Sequence, residues 1–246
     1  MPRILRVASG ENIRELGGYP VAGGGQTQPH RFLRSGHTSD LTPRDLRYLR
    51  RYGVGSVLDL RSAAEVRSHP DPYAQMRGVA YRNVSFYDYD LHDPALATGE
   101  MDEDTLAGFL TSGYLDMLAT TEAVREIFAF LAEGARRGSC VLFHCTAGMD
   151  RTGVTSMLVL ALAGVDRAHI VADYAYSYED PAEVDGWVFA GKGPSADIDP
   201  HIYEAATQVM AAVYDRVCEV YGDVPSYLRS CGVPDADLAA VRAHLL

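Results

Sequence analysis

Short apolar runs alternate along this chain with longer segments of mixed polarity, and the alternation predicts strands separated by helices. The runs are "VGSVLDLRS", which leads into Asp59 and Arg61, then "VAYRNVSFY", then "SCVLFHC" ending at Cys145. Each has the length of a buried strand and is bounded by turn-forming or charged residues. Between them the helices carry their own punctuation. "LTPRDLRYLRRYG" has Thr42 as cap, Pro43 in its first turn and Gly53 past its end. "TEAVREIFAFLAEGARR" (121–137) is a second helix, with Gly138 beyond it. A buried helix runs from Arg151 through Val165, and two more, about 201–221 and 235–246, close the chain. The opening residues place two glycine-rich turns around short strand-like pieces. The expected fold is α/β: a central, mostly parallel sheet flanked by helices, in one domain spanning 1–246.

Two stretches show no period. The acidic segment "DYDLHDPALATGEMDED" opens what reads as an irregular, lid-like region over about 88–113. A Pro-containing loop insertion covers about 178–200 and holds Trp187, the one tryptophan. Hydrophobic residues make up 47% of the chain, enough for a sizeable core. No apolar run approaches the ~20 residues needed to span a bilayer. The first residues lack a signal-peptide core, so the expected location is the cytoplasm. The formal charge of -11, from 22 basic and 33 acidic residues, argues against nucleic-acid binding and stable membrane association. A small anionic ligand needs only a local positive site. Cys140, Cys145, Cys218 and Cys231 form no CxxC pair and no zinc spacing with histidine, so they read as thiols, and no metal site is expected.

The chemistry is concentrated in "HCTAGMDRTG", from His144 to Gly153. A cysteine leaving a strand enters a turn whose N–H groups converge at the positive end of the next helix. Such a turn binds tetrahedral oxyanions and favours a thiolate. Arg151 follows Cys145 by six residues, which lets its planar fork return to hold two phosphate oxygens. Cys145 would attack phosphorus, with Thr146, Ala147, Gly148, Met149 and Arg151 cradling the oxygens. Thr152 could donate its hydroxyl to the sulfur and ease its departure. The bland alternative makes Cys145 a small buried hydrophobe and Arg151 a helix-starting residue. A leaving oxygen also needs an acid nearby. Asp150, inside the loop, is the first candidate, and Asp59, leaving a strand expected beside that of Cys145, is the second. The alternative for Asp59 is an ion pair with Arg61 or Arg34. His144 points away from the neighbouring Cys145 on a strand, which excludes it as the base.

"HCTAGMDRTG" resembles the signature loop of the cysteine-dependent protein tyrosine phosphatase superfamily, and within it a bacterial branch of tyrosine/serine phosphatases. "NIRELGGY", "RFLRSGHTSDLTPRDL", "VLDLRSAAEV" and "YLRSCGVPDADLAAVRAHL" carry the resemblance across most of the chain. It implies a phosphatase-like α/β fold and hydrolysis of phosphoric monoesters through a phosphocysteine, with no metal or organic cofactor. It also implies Asp150 as the acid, and a supporting role for His144 in ordering the loop and tuning the thiolate. The departure is Met149, where relatives place a lysine aimed at substrate. Methionine removes a charge and adds a flexible apolar contact, which disfavours substrates with several phosphates. The expected partners are therefore phosphotyrosine, and also phosphoserine or phosphothreonine, in proteins. The alternative is a small phosphorylated metabolite such as a sugar, nucleotide or natural-product intermediate.

Overall fold

The computed structural model describes residues 4–5, 7–87, 103–178 and 200–246. Its centre is a five-stranded sheet ordered β1-β2-β5-β3-β4, from β1 (Arg14–Glu15), β2 (Phe32–Ser35), β3 (Val54–Asp59), β4 (Ala80–Asn83) and β5 (Cys140–His144). Only β1 runs antiparallel; β2, β5, β3 and β4 are mutually parallel neighbours. The predicted α/β architecture is therefore present, and β5 lies in the middle of it.

Residues along β5 alternate between two apolar layers, as the pleat of a strand requires. Val141, Phe143 and Cys145 join a large cluster, whereas Cys140 and Leu142 join a smaller one with Leu33, Leu49, Val57 and Tyr73. The small layer is covered by α1 (Pro43–Tyr52), which begins and ends as predicted. Thr42 caps it reciprocally with Asp45, and Gly53 closes it at φ 118°, a left-handed conformation that glycine adopts at little cost. The large layer is built by α3 (Glu103–Ala119), α4 (Thr121–Arg136), α5 (Asp150–Ala163), α6 (Arg167–Ala175), α7 (Pro200–Tyr221), α8 (Val224–Ser230) and α9 (Asp235–Leu245). Burying a side chain such as Phe143 in such a layer contributes about 1.5–3 kcal/mol, so the strand that delivers Cys145 is firmly anchored.

Four helices depart from the expectation. Residues 103–113 are not irregular but form the first part of α3. Its core positions Ala107, Leu110, Tyr114 and Met117 do follow a helical period, but Thr111, Ser112 and Gly113 interrupt it with weak helix formers. The rest of the lid-like segment, 88–102, and the loop insertion after Tyr178 lie outside the described residues. The short α2 (Ala63–Ser68) buries no residue, so it left no apolar period to read. Instead it has a capping box, with the Ser62 hydroxyl accepting from the Glu65 amide and Glu65 accepting from the Ser62 amide. The other two, α6 and α8, are capped alike: the Asp166 carboxylate accepts from the His169 amide, and the Asp223 carboxylate from the Ser226 amide.

Candidate active site

Cys145 follows directly on β5, at the carboxyl ends of the parallel strands, where open α/β sheets place their sites. Thr146 to Met149 then turn the chain into the N-terminus of α5, so Cys145, the loop and Arg151 form one continuous cradle. Cys145 is buried, Thr146 is exposed, and Ala147 and Met149 are half-buried. The side chain of Met149 packs against the large apolar cluster.

The loop is clamped from behind. Gly148 has φ 73°, and a Cβ there would lie 2.5 Å from the backbone of Ser35 and Gly36. Glycine is therefore required for both conformation and space. The Gly148 carbonyl accepts from Asn12 Nδ2 at 3.0 Å and from Arg34 Nη2 at 2.8 Å. Arg34 in turn pairs with Asp173, to which Arg14 Nε also donates at 3.2 Å and the Tyr19 hydroxyl at 2.9 Å. Burial would raise the Asp173 carboxyl, but Arg14, Arg34 and Tyr19 outweigh it and hold it below the usual range. A second clamp is the His37 amide, which donates to the Thr146 carbonyl at 2.8 Å. The amides of Thr146 to Met149 donate to no backbone acceptor among the described residues. Free N–H groups at a helix start suit an oxyanion.

Arg151 is positioned by Glu65 of α2. Its Nη1 donates to Oε2 at 2.7 Å and its Nη2 to Oε1 at 2.9 Å, while the Thr146 hydroxyl also donates to Glu65. Burial opposes the charge of Glu65, but Arg151, Thr146 and the Ser62 amide hold its carboxyl far below the ordinary value. A guanidinium has five N–H donors, so the pairing leaves donors for phosphate oxygens. Glu65 is not among the residues that the sequence singles out for the site. Its local signal was Ser-x-x-Glu, a capping pattern, which marks a helix start and not an arginine partner.

The two candidate acids differ. Asp150, 8% exposed, opens α5 beside Arg151 and accepts a hydrogen bond from the Tyr114 hydroxyl of α3. The Tyr114 and Tyr174 hydroxyls lie 2.6 Å apart. Asp59, fully buried, is bound by Arg61: the Arg61 amide and Nε donate to Oδ1 at 3.0 and 2.9 Å, and Nη2 to Oδ2 at 2.7 Å. The Tyr81 hydroxyl adds a bond to Oδ2 at 2.9 Å. Burial raises the Asp59 carboxyl, yet Arg61 and His144 more than offset this, so it is held ionised. Asp59 does pair in register with His144, as neighbours on β3 and β5, but its carboxylate is committed to Arg61. Arg34, the other suggested partner, belongs to Asp173 instead. The Thr152 hydroxyl is enclosed within α5's packing and has no hydrogen-bond partner among the described residues. The expected bond to sulfur is therefore not made.

His144 lies on the opposite side of the sheet from Cys145, fully buried. Its Nδ1 is 3.1 Å from the Cys145 carbonyl oxygen and its Nε2 is 2.8 Å from Asp71 Oδ2. Asp59, Asp71 and His144 offer ligand-type atoms within 4.8 Å of one another. The carboxylates are already occupied by Arg61, Tyr81 and Thr38, so the group is a charge-paired cluster and not a vacant cation cage.

Residues 5–246 match the model of the tyrosine phosphatase family. The chain belongs to that family. A Cupriavidus necator protein named for tyrosine-protein phosphatase activity is 30% identical over 96% of this chain and 85% of its own. A tyrosine-protein phosphatase of Nostoc commune is 31% identical over 87% and 74%. The triple specificity protein phosphatase PtpB of Mycobacterium tuberculosis is 28% identical over 89% and 92%. Among solved structures, P. aeruginosa TpbA aligns over 92% of this chain and 97% of its own, at 13% identity and a TM-score of 0.39, too loose a superposition to bear on function. The phosphatase thus acts on phosphorylated substrates, and no described helix is long and apolar enough to cross a membrane.

Proposed function

We propose that this phosphatase hydrolyses phosphoric monoesters through a phosphocysteine on Cys145, with phosphotyrosine in proteins as its main substrate class. The observation that carries the reading is the junction itself: Cys145 at the end of the central strand, joined by a clamped loop to Arg151 at the start of α5. The helix terminus and Arg151 set positive charge beside the Cys145 sulfur. The thiolate attacks phosphorus in line, the S–P bond forms and the P–O bond breaks, and Asp150 gives its proton to the departing oxygen. Arg151 and the amides of Thr146 to Met149 hold the three peripheral oxygens. Asp150 then takes a proton from water as it attacks phosphorus, releasing phosphate and the thiolate. No step in this scheme calls for a metal or organic cofactor. Glu65, Asn12, Arg34 and His144 support the loop without touching substrate.

Met149 gives the loop no cation, its side chain packing against the large apolar cluster instead, which favours substrates with a single phosphate on an aromatic or apolar body. The same feature keeps a small monophosphorylated metabolite as the second reading.

The test is phosphate release from a phosphotyrosine peptide and a panel of phosphorylated metabolites, without added metal, by the wild-type and Cys145→Ser proteins. Loss of turnover by at least 10³-fold with an unchanged melting temperature is expected, on the order of removing an essential nucleophile. Retained turnover in Cys145→Ser would overturn the mechanism, and a metabolite turned over far faster than any peptide would move the substrate class.

A further inference from the structure

Beneath the loop, on the side of the sheet away from substrate, four charged side chains are enclosed together: Asp59, Arg61, Asp71 and His144, all at most 1% exposed. The sequence offered no motif for Asp71, which sits in the turn between α2 and Tyr73. Its Oδ1 accepts the Tyr73 amide proton at 2.7 Å. Its Oδ2 accepts from the Thr38 hydroxyl at 2.5 Å and lies 2.8 Å from His144 Nε2, with Arg61 Nη2 at 4.0 Å. The Tyr73 amide, the Thr38 hydroxyl and Arg61 thus turn protons toward Asp71, while the Asp59 carboxylate lies within 4.8 Å of it. The other ring nitrogen of His144 faces the Cys145 carbonyl, which has only lone pairs to offer.

The Nε2–Asp71 contact is an ion-pair approach without hydrogen-bond alignment, so the case for a protonated ring is electrostatic. A neutral imidazole would set a lone pair against either the carbonyl or the carboxylate, and an imidazolium sets positive charge against both. The balance of charge agrees: with His144 protonated, Arg61 and His144 match Asp59 and Asp71, and no net charge is buried. Burial alone would push the imidazole down, but Asp71, Asp59 and the Cys145 carbonyl outweigh it and raise it above the ordinary histidine value.

We propose that Asp71 is the positioning residue of the nucleophile, holding His144 as an imidazolium against the backbone of Cys145 and so placing a fixed positive charge under the phosphate loop. This rests on Cys145 being the nucleophile. Around the loop, Arg151 works in the same direction, partly offset by Glu65 and Asp150; Asp59 and Arg61 cancel one another.

The experiment reads the ionisation of Cys145 directly. In a Cys218→Ala background, which removes a partly exposed thiol, the rate of iodoacetamide alkylation at Cys145 is followed against pH by peptide mass mapping. Asp71→Asn keeps the volume, and its amide can donate to Nε2, so a neutral His144 is satisfied there. The alkylation midpoint and the acidic limb of kcat/KM should both move up by about one pH unit, a tenfold loss of thiolate below the midpoint. In a His144→Gln background, where the charge is already gone, Asp71→Asn should move neither.

A lowered melting temperature with an unmoved midpoint would overturn the proposal, since that is what a purely structural aspartate does. Should Asp71→Asn not fold, ¹⁵N-histidine NMR of the unsubstituted protein decides, with His144 assigned by its loss in His144→Gln. Both ring nitrogens should be protonated at neutral pH, and one unprotonated nitrogen would overturn the inference. An unsubstituted Cys145 titrating like a free thiol, near about 8.5, would overturn the nucleophile reading and this one together. A low value unmoved by Asp71→Asn overturns this one alone.

Discussion

Asp59 and Asp150 are both well buried aspartates at the ends of elements beside Cys145, yet their neighbours suit them to different work. Asp59 is chelated by the amide, Nε and Nη2 of Arg61, and a carboxylate so held has no reason to carry a proton at neutral pH. Asp150 has a phenol as partner and stands at the helix end next to Arg151. Replacement by asparagine should separate them. Asp150→Asn should slow hydrolysis of a phosphotyrosine peptide by 10²-fold or more, on the order of a lost general acid. Hydrolysis of an activated nitrophenyl ester should fall far less, because that leaving group departs without a proton. Asp59→Asn strands Arg61 in the core, so it should cost about 3–5 kcal/mol of stability and lower both rates alike. The Asp59 pair also sets a pH trend. Its folded carboxyl is depressed, so its contribution is complete above the ordinary aspartate range and is lost as pH falls through the folded value. Kinetics with the two esters, alongside melting curves, check both claims, and selective loss on phosphotyrosine in Asp59→Asn would reverse the assignment. Sequence proximity could nominate both aspartates but could not choose, since the choice depends on which cation reaches which carboxylate.

At the scale of elements, the site depends on the end of β2 lying against the loop that leaves β5. The contact passes through Gly148, whose missing side chain lets the loop lie on the Ser35–Gly36 backbone. Gly148→Ala should therefore act on both shape and stability. A left-handed alanine costs roughly 1–2 kcal/mol, and overlap with backbone that cannot yield adds about 1–3 kcal/mol more. Thermal unfolding should show the combined loss, and kcat/KM should fall by more than 10-fold because the loop amides are displaced. An alanine variant with wild-type melting and turnover would show that the loop has room the structure denies it. The strands and α1 were legible because local signals agreed: apolar runs of strand length, and a cap, proline and glycine in the right order. The first turns of α3 were not, because Ser, Thr and Gly interrupt a stripe whose meaning comes from packing on α7 and α5.

For the whole molecule, a net charge of -11 surrounds a site built to receive an anion, so local cations must overcome a repulsive background. Met149→Lys restores one such cation at the rim. It should raise kcat/KM severalfold for a substrate with several phosphates, with the gain shrinking as salt rises, because an accessible charge is screened over about 8 Å at physiological ionic strength. A singly phosphorylated substrate should change little, its oxygens being held by Arg151 and the loop. Equal effects on both substrates would show that Met149 does not narrow the range. What the sequence determined alone was whatever neighbours along the chain decide: strand and helix order, the α/β class, and the spacing from Cys145 to Arg151 that makes a cradle possible. Tertiary structure decided the partners of the charges. Glu65 on Arg151, Arg34 and Asn12 on Gly148, and Asp71 on His144 join residues between 73 and 136 positions apart. No local propensity encodes such distances. They come into being only when parallel strands bring the ends of separate segments to one edge of the sheet.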